Sequence, residues 1–174
     1  MPYELREKVL VSVIPEFQEA NARYADTFDK ADLTAPPRRR VAVITCMDAR
    51  LDPARFLGLQ EGDAHVIRNA GGRADADALR SLIISQQMLG TNEVVVIHHT
   101  DCGMSSFRNE DLQAKLSDQF GQSAEHIDFL PFADLTQSVR DDVQTIRNHP
   151  FIGDDVAVSG FIYDVKSGRI EPVD

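Results

Sequence analysis

The 174-residue chain contains no apolar run approaching the ~18 residues that a membrane-spanning helix needs. Between Met1 and Phe17 it carries Glu4, Arg6, Glu7 and Lys8 ahead of a short apolar patch broken by Ser12 and Pro15. An export signal needs a longer uninterrupted apolar stretch and a small-residue cleavage site, so a cytoplasmic protein is expected. There are only 2 cysteines, too few for a disulfide framework. In an intracellular chain they serve more readily as metal ligands, catalytic thiols or buried residues. Basic residues are also short: 18 against 28 acidic ones, for a net charge of −10. Such a chain repels phosphate backbones and anionic lipid, which excludes nucleic acid and membrane surfaces as natural partners. The Arg38-Arg39-Arg40 run is too short to change that and is expected to be a solvated strand flank. No internal repeat and no low-complexity segment is present.

Apolar residues make up 43% of the chain, enough for one sizeable core and, at this length, one domain spanning 1–174. Leu5, Val9, Val13 and Phe17 lie on one face of an expected amphipathic helix over 2–24, an N-terminal arm in which Pro15 is a candidate kink or split. Pro36 and Pro37 close a linker. The core, 41–165, opens with Val41-Ala42-Val43-Ile44-Thr45, a β-branched run without polar alternation that reads as a strand buried on both faces of a parallel sheet. Further strands are expected at His65 to Arg68, Glu93 to His98 and Val156 to Val165, with a short one at Arg169 to Val173. Helices are expected at Asp75 to Leu89, about Ser105 to Phe120 and Asp134 to His149. Strands alternating with helices imply right-handed crossovers and an α/β fold: a mostly parallel central sheet, four parallel strands plus a short C-terminal edge strand, flanked by helices.

In such sheets chemistry gathers outside the carboxyl ends of the strands. The first strand ends in Cys46-Met47-Asp48-Ala49-Arg50 and the third in His98-His99-Thr100-Asp101-Cys102-Gly103. Parallel neighbours would release both groups at one edge. Two thiolates and one imidazole are a normal zinc ligand set, and three protein ligands leave a fourth position open, the catalytic pattern. Cys46, His99 and Cys102 are therefore the expected metal ligands. His98 would point the other way on an extended chain. Asp48 and Arg50, two residues apart, can form a charge-assisted pair that keeps the carboxylate ionised beside the metal. Two thiolates donate more charge than two imidazoles, so an activity favouring alkaline pH is expected. Asn69-Ala70-Gly71-Gly72 lacks the lysine and hydroxyl of a phosphate-binding loop and reads as a tight turn needing positive φ. The doublets Asp141-Asp142 and Asp154-Asp155 read as helix surface and loop.

Cys-x-Asp-x-Arg and His-x-x-Cys, here Cys46-Met47-Asp48-Ala49-Arg50 and His99-Thr100-Asp101-Cys102, resemble the two signatures of the β-class carbonic anhydrases. The stretch Leu59 to Gly72 resembles that family's second-strand segment, and the likeness extends more loosely to Val165. The resemblance implies one zinc ion (Zn2+) per subunit on Cys46, His99 and Cys102, an Asp48–Arg50 dyad, and a site at the interface of a homo-oligomer, dimer or tetramer. It implies that Gln60 donates a hydrogen bond to substrate from the neighbouring subunit, and that Gly103 lies beside the substrate. The implied activity is reversible hydration of carbon dioxide to bicarbonate by metal-bound hydroxide. The short microbial branch of the family also contains carbonyl sulfide and carbon disulfide hydrolases with the same ligands. A more apolar pocket would favour those sulfur compounds, and Met47, Met104 and Phe107 are placed to form its wall. A non-catalytic zinc domain and a thiol-redox protein remain as alternatives of a different kind. The first needs no oriented carboxylate, and the second requires thiols that titrate freely.

Overall fold

Parallel β-branched strands and capped helices account for the architecture seen in a computed structural model, which describes residues 12–174. The N-terminal segment, up to Leu33, forms a unit of its own. Its helix α1 (Ile14–Ala25) has Pro15 in its first turn, where the missing N–H and fixed φ suit a helix start. The expected kink therefore becomes a boundary. The part of the expected arm between residues 2 and 11 lies outside the described residues. No residue of α1 is buried.

From Thr34 onward the chain builds a five-stranded sheet in the order β2-β1-β3-β4-β5. The strands are β1 (Val41–Cys46), β2 (Ala64–Asn69), β3 (Glu93–His99), β4 (Ala157–Tyr163) and β5 (Ile170–Val173). The first four are parallel, and β5 returns antiparallel on β4. Crossovers run through α2 (Pro53–Leu57), α3 (Ala76–Gln87), and the pair α4 (Asn109–Phe120) and α5 (Leu135–Arg147). Aspartates cap three of these helices: Asp52, Asp75 and Asp134 accept the N–H of Arg55, Ala78 and Gln137, satisfying donors that have no partner inside a helix. Ala42, Ile44, Val94, Val96 and Val158 of the sheet pack with Ala78 and Leu82 of α3 and with Val139, Val143 and Ile146 of α5 as one buried cluster. β1 leads to β2 on one side and β2 then crosses back to β3, so the order reverses between β1 and β3. That reversal opens a crevice at their carboxyl ends. Among the described residues, no helix is long and apolar enough to cross a membrane.

Two expectations are corrected by burial. Asp141 is on the helix surface, but Asp142 is 4% exposed, because it shares the inward stripe of α5 with Ser138, Val139, Val143 and Ile146. Met47 is 65% exposed, since it leaves the strand on the solvent side. The turn after β2 behaves as expected: Gly71 and Gly72 have φ of 84° and 69°, and a Cβ on Gly72 would stand 2.9 Å from the Cys46 nitrogen.

Candidate metal centre

β1 and β3 each place a ligand at the reversal point. Cys46 is the last residue of β1, His99 the last of β3, and Cys102 follows after one tight turn. All three are buried, and one donor atom from each lies within 4.8 Å of the others. That spacing lets a single ion reach every donor at ~2.0–2.3 Å. The imidazole is prepared for it. His99 Nδ1 lies 2.8 Å from the Thr100 carbonyl oxygen, which can only accept, so Nδ1 carries the proton and Nε2 presents a lone pair. Nε2 is buried and, among the described residues, has no hydrogen-bond partner. A buried nitrogen left bare costs free energy, and a metal ion is the partner that would relieve it.

One of the two sulfurs is arranged for ionisation. Cys46 is a free thiol lowered to about 4, chiefly by the hydrogen bond from Cys102 and against burial, with further help from the facing His99 imidazole and from the N–H groups of Asp48 and Gly71. Cys102 is correspondingly pushed up by its bond to Cys46 and by burial. Its sulfur accepts the N–H of Met104.

Asp48 and Arg50 form the expected pair. Arg50 Nε donates to Asp48 Oδ1 at 2.9 Å and Nη2 to Oδ2 at 2.7 Å, while the Arg50 N–H also reaches Oδ1. These bonds hold the Asp48 carboxyl well below the usual carboxylate range despite some burial, and the same pairing raises Arg50. Asp48 Oδ2 is 3.8 Å from His99 Nε2. Arg50 Nη2 donates a further bond to the Asp101 carbonyl at 3.0 Å, tying the β1 loop to the β3 loop. Asp101 adopts φ of 54° to present that carbonyl.

Several residues of the site went unnoticed in the sequence. Arg68, on β2, donates to the carbonyls of Cys46 and Asp48 at 2.9 and 2.7 Å, clamping the loop that carries ligand and dyad. An arginine next to Asn-Ala-Gly-Gly at a strand end was the available signal. The apolar wall is also different from expectation. Met104 belongs to it, but its other members are Phe56, Phe132, Tyr163 and Val165, packed around Cys46, Leu51 and Cys102. Phe56 and Tyr163 stack at 4.6 Å between centroids. Phe107 instead lines a neighbouring cleft of about 490 Å³ with Ser105, Arg108 and Pro131. Gly103 opens a short 3₁₀ turn, and a Cβ there would meet nothing within 4 Å. Gln60 is exposed on the turn before β2, its backbone N–H held by Asp63 Oδ2 at 2.9 Å. Arg38 and Arg39, the expected solvated flank, stay half exposed while both pair with that same Asp63.

A family model described as carbonic anhydrase matches residues 41–170. The chain belongs to the β-carbonic anhydrase family. Beta-carbonic anhydrase 1 of Mycobacterium tuberculosis is 40% identical over 167 residues, covering 94% of this chain and 99% of that protein. A carbonic anhydrase structure from Streptococcus mutans superimposes with a TM-score of 0.90 at 47% identity, over 95% of this chain and 99% of that one. Carbon disulfide hydrolase of an Acidianus species is 36% identical over 159 residues, 78% of each chain. The protein is thus an enzyme of a family whose members include both carbonic anhydrases and carbon disulfide hydrolases.

Proposed function

We propose that the chain is a zinc-dependent carbonic anhydrase that interconverts carbon dioxide and bicarbonate. The observation that carries this is the unpartnered His99 Nε2 facing two free thiols beside an ionised Asp48. Zinc held by Cys46, His99 and Cys102 would supply a Lewis acid that brings water's pKa toward neutrality. Asp48, held on Arg50, accepts a hydrogen bond or proton at Oδ2 from whatever binds in front of the three donors and so fixes its orientation. Arg50 keeps that carboxylate charged and aimed. Phe56, Met104, Phe132, Tyr163 and Val165 exclude water around an apolar linear substrate. Open space at Gly103 leaves room beside Cys102, and Gln60 adds a hydrogen-bond donor from the neighbouring subunit of a homo-oligomer. The cytoplasm is the expected location.

The apolar wall and the 36% identical hydrolase favour one second reading, hydrolysis of carbonyl sulfide or carbon disulfide by the same residues. A paired assay on one zinc-replete preparation separates the two: carbon dioxide hydration by stopped flow against hydrogen sulfide release. Hydration well above sulfide release is expected, and the reverse ratio would make the protein a hydrolase. Absence of both activities would leave a non-catalytic zinc domain.

A further inference from the structure

A buried polar cluster lies behind the candidate metal centre. Asp142 projects from α5 into the core and receives Arg73 Nε at 2.8 Å and Nη2 at 3.3 Å. The same carboxylate is 3.0 Å from His98 Nε2, the histidine that faces away from the thiols. His98 is wholly buried. Its Nδ1 meets the Ser138 hydroxyl at 2.7 Å, and its Nε2 also lies 3.1 Å from the Gly72 carbonyl. Arg73 donates a third bond, from Nη1 to the Leu130 carbonyl at 2.7 Å, and Leu130 takes φ of 55° to offer it. Phe132 stacks on His98 and lies under the Arg73 guanidinium.

Each of these groups reaches one of the ligand-bearing segments. Arg73 ends the glycine turn, whose Gly72 touches the Cys46 backbone and whose Gly71 N–H points at the Cys46 sulfur. His98 precedes His99 on β3. Phe132, through its N–H, binds the Met104 carbonyl at 3.2 Å, and the Met104 N–H is the one directed at the Cys102 sulfur. One carboxylate therefore anchors the supports of all three ligands, from a helix that contributes none of them. A fully satisfied buried network of this kind has a single arrangement and transmits little slack.

We propose that Asp142 is a positioning residue for the metal centre: with Arg73 and His98 it holds Cys46, His99 and Cys102 at the spacing one ion requires. The inference rests on the metal reading above and adds to it a residue from α5. Groups that orient metal ligands without touching the metal commonly change affinity by 10–100-fold when removed.

The test measures metal binding rather than turnover. Zinc affinity of the full chain is obtained by competition with a chromophoric chelator, alongside the absorption spectrum of the cobalt-substituted protein and the melting temperature of the metal-free form. D142A is expected to bind zinc ~10–100-fold more weakly, with displaced thiolate-to-cobalt bands. D141N, on the exposed neighbour, serves as the control and is expected to match wild type. A folded D142A with wild-type zinc affinity and an unchanged cobalt spectrum overturns the proposal, whatever its melting temperature. Should D142A not fold, D142N and R73K are read in the same way, since lysine cannot span both Asp142 and Leu130. Wild-type protein that takes up neither metal overturns the metal reading and the proposal together. Wild-type uptake with an unaffected variant overturns the proposal alone.

Discussion

Two arginine–aspartate pairs flank the histidine doublet of β3, and they are alike in geometry and opposite in setting. Arg50–Asp48 closes at 2.7 Å with side chains 49% and 19% exposed; Arg73–Asp142 closes at 2.8 Å with 13% and 6%. Asp48 neighbours His99 and Asp142 neighbours His98. Each arginine also donates to the carbonyl of a non-glycine residue in the left-handed region, Asp101 or Leu130. The front pair joins residues two apart, the rear pair residues 69 apart. Water decides what each can do. An exposed pair adds at most about 1 kcal/mol to stability and its partners can move, so its carboxylate is free for chemistry. A buried pair resists change because either partner alone would be an unpaired charge in the core. On the proposed function, the same two side chains serve as a reactive group in one place and as a fixed strut in the other.

The largest expected effect that would test this contrast is on stability. Asp142→Ala should cost about 3–5 kcal/mol in denaturant unfolding, and Asp48→Ala less than about 1 kcal/mol. Similar losses for both would erase the distinction. Turnover should show the converse order. Asp48→Asn is expected to lower kcat by about 10²–10³-fold while metal content, measured by atomic emission, stays near one ion per chain. A variant that loses zinc along with activity would assign Asp48 to metal retention instead. The acid limb of stability offers a finer comparison. Burial pushes the Asp142 carboxyl up, and hydrogen bonds from His98 and Arg73 more than reverse this, leaving it below its ordinary value. In the unfolded chain it returns to about 3.9. Its stabilisation is therefore complete above that value and lost as pH falls through the folded pKa. Thermal melts taken downward from neutral pH should show this loss in wild type and a shallower one in Asp142→Asn. The smallest effect belongs to Arg68, which touches the front row only through two carbonyls. Losing two hydrogen bonds of about 1 kcal/mol each bounds the drop in turnover for Arg68→Ala at about thirtyfold, and the cost in unfolding at about 2 kcal/mol.

The front row was legible in the sequence because its parts are local. Cys46, Asp48 and Arg50 fall within five residues and His99 and Cys102 within four, and each group stands at the end of a run that reads unmistakably as a buried strand. Parallel pairing of those runs then brings the two groups together without further information. The rear row was hidden for the opposite reason. Asp142 sits in an acidic doublet, a pattern that usually marks a helix surface, and its partner Arg73 lies on another element altogether. The spacing Ser138, Val139, Asp142, Val143, Ile146 did carry the answer, since it traces one helical stripe, but a charged residue on such a stripe names no partner. The apolar wall was missed similarly: Phe56, Phe132, Tyr163 and Val165 come from separate segments, and only the folded chain assembles them.

The histidine doublet also sets a rule about chain length. Successive residues of a strand face opposite ways, with a rise of about 3.3 Å each, so His98 and His99 divide the two rows between them by parity alone. Inserting or deleting one residue between Val94 and Ile97 would swap their surroundings, sending one imidazole from the thiols to Asp142 and the other the reverse way. A change of two would restore the facing and leave each ring about 6.6 Å off station. In β3 no small change of length is silent, and the odd ones are the most damaging because they leave every residue type present and each of the two histidines in the other's place.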